Sequence, residues 1–377
     1  MSMRYIGFLF SITLLASGCA SHPDGSKGEP NVKLKVSLEN KSPSYKDYFD
    51  RIDMIPLESN DSSLMAEIEK VICIGDTIVA YDGSRNIINV FSPDGRFLNR
   101  IGNIGQGPEE YTLVYDISYN PGKNFLSLLS PFGEYLDFSI DNKFLQRTEL
   151  PPQANYQSFE WISDNRLALW SSVPEDEPGM LILNTDSGHT EFEGWHQNRH
   201  IEFLQLKPFS LYNGTLFFSE PIGMSVFKLE NDSLTYAYEW DFGKDNFDVE
   251  AYCREVADTD ISEQGKKVKN DIHSGYLPYM ILTSWQLDDH YLSILFSCKD
   301  GKRDFRTLIY KKSSGEGSCI SRFKEGMSLT PLYVNDEYLI CSVPEDEIGI
   351  YNKICNQKIE SDEDGNVILA KYYFPKR

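Results

Sequence analysis

Short runs of alternating apolar and polar residues fill most of the chain beyond residue 50, and clusters of Gly, Asn, Asp, Pro and Ser separate them. Runs with this period of two predict β-strands, and the polar clusters between them predict tight turns. Residues 155–195 show the pattern most clearly, because four predicted strands lie there around turns at 163–165 and 186–188. This segment therefore predicts one antiparallel meander of four strands.

The same four-stranded pattern recurs along the chain. Its predicted copies span residues 68–101, 113–150, 155–195, 203–241 and 279–323, and residues 329–374 supply only three strands of a sixth. The alternating segment 51–57 belongs to none of these units, and we expect it to be the missing outer strand of the last one. The predicted fold is therefore all-β: a six-bladed β-propeller closed by an N-terminal strand, which protects its sheet edges.

An internal repeat supports this division into units. Residues 172–179 and 342–349 both read Ser-Val-Pro-Glu-Asp-Glu-x-Gly, and both follow the second strand of their unit. In a propeller the connections between blades lie on the same face as the loops between second and third strands. All the long connections of this chain fall on that face, which we call the long-loop face. Loops on a rigid scaffold often carry function, so this is the candidate binding face.

One long connection, residues 243–278, changes character. Phe247, Val249, Tyr252 and Val256 have the spacing of one helix face. We expect one or two short helices here that cap the channel mouth, and the alternative is a surface excursion without a role in ligand binding.

The N-terminal residues predict an export signal rather than a part of the fold. Arg4 precedes an apolar run at 5–15, which is too short to span a bilayer core of ~30 Å. The run ends in Leu15-Ala16-Ser17-Gly18-Cys19, which resembles the lipobox of bacterial lipoproteins. That resemblance implies cleavage after residue 18 and lipid attachment to Cys19, whereas the alternative is an ordinary signal peptide with a chance Cys. Residues 19–31 then form a flexible tether, and residues 32–377 the propeller.

Composition narrows the possible partners. The chain has 377 residues and a formal net charge of −21, which argues against nucleic-acid binding. Many of the acids fall in predicted loops of the long-loop face, where they could bind Ca²⁺ or simply keep the protein soluble. Together with Tyr111 they make up the candidate binding surface: Glu109, Glu110, Glu175, Asp176, Glu177, Glu345, Asp346 and Glu347.

Three motifs give the chain a family resemblance: Ile55-Pro56-Leu57-Glu58, Ser92-Pro93-Asp94-Gly95, and Gly105-Gln106-Gly107-Pro108-Glu109-Glu110-Tyr111. The chain resembles a family of six-bladed β-propeller lipoproteins of Bacteroidetes, similar to NHL-type propellers, whose function is largely uncharacterised. The resemblance implies the propeller fold and the export route. It implies no catalytic residues.

The sequence contains no complete catalytic or metal-binding motif. His196 and His200 have a spacing that could hold a metal on a helix, but they fall in a predicted loop. Asp116, Glu160 and His273 lie on or just before predicted first strands of their blades, so they are candidates to line the central channel. Of the cysteines that follow Cys19, Cys253 and Cys355 are the only candidate disulfide pair, because both lie in long insertions on one face, and buried free thiols are the default alternative.

The leading hypothesis is a lipid-anchored binding or scaffold module for a protein, peptide or glycan. It would be a monomeric domain on the periplasmic or outer surface of the outer membrane, with no cofactor except Ca²⁺ as a candidate ion. An alternative is a propeller enzyme, a lyase or a lactonase-like hydrolase with its site at the channel mouth. A third reading is a subunit of an envelope complex for nutrient uptake, without a small-molecule ligand.

Overall fold

Six antiparallel sheets stand in a ring in the computed structural model, as the repeated meanders predict. The model describes residues 32–39, 41–131, 133–151, 155–171, 179–194, 207–220, 222–359 and 365–376. Two strands precede the first complete blade, β1 (Lys33–Lys35) and β2 (Arg51–Pro56). Each of blades one to five then uses four strands that are consecutive in the chain, running outward from the centre of the ring.

The strands have the following bounds. Blade one contains β3 (Lys70–Ile74), β4 (Thr77–Asp82), β5 (Ile87–Phe91) and β6 (Phe97–Arg100). Blade two contains β7 (Asp116–Asn120), β8 (Phe125–Ser130), β9 (Glu134–Phe138) and β10 (Phe144–Glu149). Blade three contains β11 (Ser158–Ser163), β12 (Arg166–Trp170), β13 (Met180–Asn184) and β14 (His189–Gly194).

Blade four contains β15 (Phe209–Tyr212), β16 (Thr215–Ser219), β17 (Ser225–Glu230) and β18 (Ser233–Asp241). Blade five contains β19 (Met280–Gln286), β20 (His290–Lys299), β21 (Lys302–Lys311) and β22 (Glu316–Ile320). Blade six contains β23 (Pro331–Val334), β24 (Tyr338–Ser342) and β25 (Ile368–Tyr373).

The N-terminal strand β2 completes blade six. It pairs antiparallel with β25, from Arg51 opposite Tyr373 to Pro56 opposite Ile368, so the predicted ring closure is confirmed. The adjoining turn of blade one fits closely against β2. Gly95 has φ +89°, and a Cβ there would lie 2.2 Å from the carbonyl oxygen of Pro56. Only glycine readily adopts this positive φ and also leaves room for the Pro56 carbonyl group, which explains the glycine of the Pro-Asp-Gly turn.

Aromatic side chains fill the spaces between blades. Trp161 and Trp240 are buried, and each indole nitrogen donates a hydrogen bond of 2.9 Å to a serine of the neighbouring blade, Ser127 and Ser293 respectively. A buried tryptophan needs such a partner for its N–H, so these bonds fix how adjacent blades pack.

The segment before β2 fastens three blades together, which the sequence did not predict. Strand β1 pairs in parallel with β18, and its Leu34 packs with Trp240 and Cys319 between blades four and five. Further along, Ser44 donates a hydrogen bond of 2.6 Å to the Glu325 carboxylate, which lies between blades five and six. We call the described residues between 32 and 50 the N-terminal strap.

The described residues form three α-helices, all in the long insertions. The insertion between blades four and five forms α1 (Val249–Ala257) and α2 (Ile261–Ser274), which confirms the expected short helices. Helix α3 (Ile348–Cys355) follows a 3₁₀ turn at Glu345–Glu347 and was not predicted. Within the described ranges, no helix combines the length and the apolar character needed to cross a membrane.

The cysteines of the described residues are all free thiols, so the candidate Cys253–Cys355 disulfide is not formed. Cys253 is buried on α1, in the insertion that precedes blade five. The thiol of Cys355 lies instead against blade six, 3.3 Å from the carbonyl oxygen of Ile52. The two insertions share a face of the ring but pack against different blades.

Candidate functional site

A cavity of about 470 Å³ occupies the centre of the ring, between the innermost strands of the blades. One part of its wall is apolar and aromatic, and the other carries charged side chains. The main apolar and aromatic wall residues are Phe209, Leu211, Leu282, Trp285, Leu332 and Tyr333. A mostly apolar cavity with a few convergent polar groups is the usual form of a small-molecule site.

The charged side chains lie toward the long-loop face. Lys70 is the first residue of β3, Glu160 is near the start of β11, and Lys207 lies two residues before β15. Glu67 and Glu69, just before β3, also line this part of the cavity. The innermost strands all begin at the long-loop face. Since these charged residues lie at or near the strand starts, they make that end of the cavity polar.

Asp116, the first residue of β7, holds both lysines. Its Oδ1 atom lies 3.0 Å from the Lys70 Nζ and 3.3 Å from the Lys207 Nζ. Its Oδ2 atom accepts hydrogen bonds from the Ser158 hydroxyl (2.7 Å) and the Phe159 backbone N–H (3.2 Å). Burial opposes the ionised form, but the charges of Lys207 and Lys70 lower the pKa of this carboxyl below its ordinary value.

Asp116 is only 1% exposed and does not itself line the cavity. The observed position is close to the predicted one near the channel. The carboxylate oxygens, however, already contact the two lysines and accept hydrogen bonds from Ser158 and Phe159 of blade three. Asp116 therefore builds the wall of the site and does not reach a bound molecule.

Glu160 lines the cavity, where the sequence placed it. Its Oε1 atom accepts a hydrogen bond of 2.9 Å from the Ser118 hydroxyl, and its Oε2 atom lies 3.7 Å from the Lys70 Nζ. Burial raises the pKa of Glu160, and Lys70 offsets this only in part. Burial likewise raises the pKa of Glu69.

Lys70 remains a cation in this setting. Burial alone would lower its pKa, but Asp116 and Glu160 outweigh this effect and raise it. Its ammonium group also donates a hydrogen bond of 2.6 Å to the carbonyl oxygen of Ile117. A lysine whose pKa is raised is a poor nucleophile or base, so its part here is electrostatic.

The prediction that His273 lines the channel is wrong. His273 lies in the last turn of α2, where its Nδ1 is 3.9 Å from the Cys298 thiol. In the sequence, His273 falls shortly before the predicted first strand of blade five. The helix instead continues to Ser274 and ends at Gly275, with left-handed backbone geometry.

The acidic candidates of the long-loop face play different parts. Glu109 is exposed, whereas the Glu110 carboxylate accepts a hydrogen bond of 2.9 Å from the backbone N–H of Gly107. Tyr111 is buried, and its hydroxyl bonds to the carbonyl oxygen of Asn86 at 3.2 Å. The glycine-rich motif thus shapes the connection from blade one to blade two, and Tyr111 is a core residue rather than a binding residue.

Glu345 and Asp346 are exposed, but Glu347 is only 1% exposed. The Glu347 carboxylate accepts a hydrogen bond of 2.9 Å from the Ser328 backbone N–H and pairs with Arg322 at 2.8 Å. Its expected place on the binding surface is therefore wrong, because the start of α3 turns this side chain inward.

Some predicted candidates lie outside the described residues: Glu175, Asp176, Glu177, His196, His200 and Cys19. Over the part of the chain that is described, no three His, Cys, Asp or Glu side chains come together as a metal site.

Sequence reasoning missed both lysines of the site. One signal was present: the first strands of blades one and two begin with charged residues of opposite sign, Lys70 and Asp116. These opposite charges could have suggested an ion pair across blades.

The fold and the cavity define a six-bladed β-propeller with a partly charged central site. The chain belongs to the family described as a domain of unknown function, DUF4934, whose model matches residues 29–373. This confirms the resemblance to an uncharacterised family of six-bladed propellers. No curated protein matches the chain.

Two crystal structures have similar folds. A protein from Bacteroides fragilis NCTC 9343 that is assigned as exported has a TM-score of 0.74 at 14% identity, covering 92% of this chain and 100% of its own. A member of the DUF4221 family from Bacteroides vulgatus ATCC 8482 has a TM-score of 0.54 at 10% identity, covering 86% and 96%. At these identities the likeness concerns the fold alone.

Proposed function

We propose that this protein is a binding module that holds a small molecule, or the end of a peptide or glycan, in its central cavity. The observation that carries the proposal is the cavity itself, with apolar and aromatic walls and charged groups confined to one end. This moves the proposed site from the exposed acidic loops to the channel that they surround.

The protonation states at the charged end favour binding over catalysis. The raised pKa of Lys70 and the lowered pKa of Asp116 keep both residues ionised near neutral pH. An acid–base enzyme needs groups that touch the substrate and exchange protons with it. Glu69 and Glu160 both line the cavity and have a raised pKa, but the described lining residues include no histidine or cysteine that could act with them as nucleophile or base.

A substitution that fills the cavity tests the proposal. Thr283 lines the cavity on the innermost strand of blade five, and we expect Thr283→Trp to block it. Thr235 lies on the outermost strand of blade four, so Thr235→Trp is the matched control. Fractions of bacterial envelope extract should raise the melting temperature of the wild type and of the control, because a ligand that binds only the native state stabilises it. They should not raise that of Thr283→Trp, and an equal rise in all three proteins would contradict a site in the cavity.

We also propose that the protein works outside the cytoplasm, anchored by lipid on Cys19. The signal-like residues 1–18 and the polar segment that follows support this proposal. In cells fed a radiolabelled fatty acid, the wild type should carry label and fractionate with membranes. Cys19→Ala should lose the label and appear in the soluble fraction, whereas Ser17→Ala should behave as the wild type. Label retained by Cys19→Ala would refute the anchor.

A further inference from the structure

We infer that the central cavity selects an organic cation, an ammonium group carried on an apolar or aromatic body. This inference rests on the proposed function and names the chemical class of the ligand. It follows from counting which charged groups of the cavity already have partners and which still face the open space.

The two lysines are largely committed to the protein. Each ammonium group has three protons to donate. Lys70 lies within 3.0 Å of Asp116, donates to the carbonyl oxygen of Ile117 and has Glu160 at 3.7 Å. Lys207 also lies close to Asp116 and donates a hydrogen bond of 2.9 Å to the carbonyl oxygen of Tyr115. An incoming anion would have to compete with these contacts.

The carboxylates at the charged end are less fully matched. Among the described residues, three carboxylates line this end of the cavity, Glu67, Glu69 and Glu160, whereas both ammonium groups make their closest carboxylate contact with Asp116 behind the wall. Within the described part of the chain, Glu160 Oε2 has only the long 3.7 Å contact with Lys70, while its Oε1 accepts a hydrogen bond from the Ser118 hydroxyl. A bound cation would complete the coordination of Glu160 and balance the excess negative charge.

The remaining wall suits the body of such a ligand. Trp285 and Tyr333 line the same cavity, together with Leu282 and Leu332. Aromatic and aliphatic side chains pack against apolar groups, so this wall favours an organic ligand over a hydrated metal ion. The net charge of −21 adds a long-range attraction for cations.

Three probes with one aromatic body separate the possible head groups. 2-Phenylethylamine carries an ammonium group, 3-phenylpropionate a carboxylate and 2-phenylethanol a neutral hydroxyl. Isothermal titration calorimetry of the full mature domain should show the amine binding about tenfold or more tightly than either other probe, a difference of about 1.4 kcal/mol. Thr283→Trp should abolish the heat of binding, because it fills the space for the ring.

Glu160→Gln tests the residue that carries the selectivity. The amide oxygen can still accept the hydrogen bond from Ser118, and the melting temperature would verify that the variant is folded. We expect Glu160→Gln to weaken amine binding about tenfold and to leave binding of the alcohol unchanged. Glu149→Gln removes the same charge from the exposed outer strand of blade two and should leave all three affinities unchanged.

Two results would overturn the inference. One is tighter binding of the carboxylate probe together with its loss in Lys207→Met, which would make the site an anion site. The other is no measurable amine binding at millimolar concentration, or amine binding that Glu160→Gln does not alter. Neither result refutes the proposed binding function, which fails only if Thr283→Trp responds to envelope extract as the wild type does.

Discussion

Asp116 shows how one residue organises the site. It begins an innermost strand, is almost completely buried, and draws together lysines from blade one and from the start of blade four. A buried carboxylate is costly to desolvate, and such a charge persists only where close partners repay that cost. The cluster therefore links three blades at the centre of the ring.

Replacing this carboxylate should destabilise the protein strongly. Asp116→Asn keeps the shape of the side chain but leaves Lys70 and Lys207 without their counter-charge. We expect the free energy of unfolding, measured by urea denaturation, to fall by about 3 kcal/mol. The control is Asp186→Asn, which breaks a 3.1 Å pair with Lys123 on the surface and should cost less than about 1 kcal/mol. Equal effects of the two substitutions would show that the central cluster is not stabilising.

The same residue predicts a dependence of stability on pH. The lysines lower the pKa of Asp116 in the folded state, whereas an unfolded aspartate has a pKa of about 3.9. Its contribution is thus fully present above that value and is lost as the pH falls through the lower folded pKa. The unfolding free energy of the wild type should decrease below about pH 4, and Asp116→Asn should decrease less steeply over the same range. Parallel pH profiles of the two proteins would contradict this assignment.

At the scale of the elements, local patterns predicted the strands because each strand alternates and each turn has its own chemistry. Asn213 and Gly214, for example, have φ values of +49° and +75°, as a two-residue hairpin turn of type I′ requires. Strand β1 was missed because three residues carry too little pattern, and its partner β18 lies far along the chain. Helix α3 was missed because Gly349 weakens its helical pattern, and it is stabilised by burying Ile348 and Tyr351.

The site was predictable only in part, because local patterns predict strands but not the contacts between distant segments. The alternation of apolar and polar residues predicted the innermost strands that carry Asp116 and Glu160, because a strand can be predicted from the pattern of its own residues. The pairing of Asp116 with Lys70 and Lys207 depends on how successive blades face one another, which no local pattern records. The burial of Glu347 likewise depends on its contact with Arg322, a residue of the connection that follows blade five.

The N-terminal strap offers a test at this scale. Leu34 is buried between blades four and five, so Leu34→Ala should leave a cavity and lower the unfolding free energy by about 2–5 kcal/mol. Lys33→Ala, at the adjacent and exposed position, loses only a 3.4 Å surface pair with Glu239 and should change it by less than about 1 kcal/mol. Thermal and urea denaturation would measure both. If Leu34→Ala is as stable as Lys33→Ala, the strap does not contribute to the stability of the ring.

At the scale of the whole molecule, closure of the ring joins the two ends of the described chain. Strand β2 pairs with β25 across more than three hundred residues of sequence, as the register of Arg51 with Tyr373 shows. Closing so long a loop costs chain entropy. The contacts between β2 and β25 therefore stabilise the fold fully only when all six blades are in place. Without β2, the edge of β25 would be open to pairing with other molecules.

A charge placed in the closing strand tests this dependence. Ile52 is buried in the core of blade six, and Ile52→Asp should lower the unfolding free energy by about 3 kcal/mol or more, because a charge there has no partner. The opened edge should also cause self-association, seen as oligomers by size-exclusion chromatography with light scattering. Asp53→Asn, on the same strand with its side chain half exposed, should remain monomeric and as stable as the wild type. A monomeric Ile52→Asp with wild-type stability would mean that the ring does not depend on β2, and that the strap and the inter-blade contacts alone maintain it.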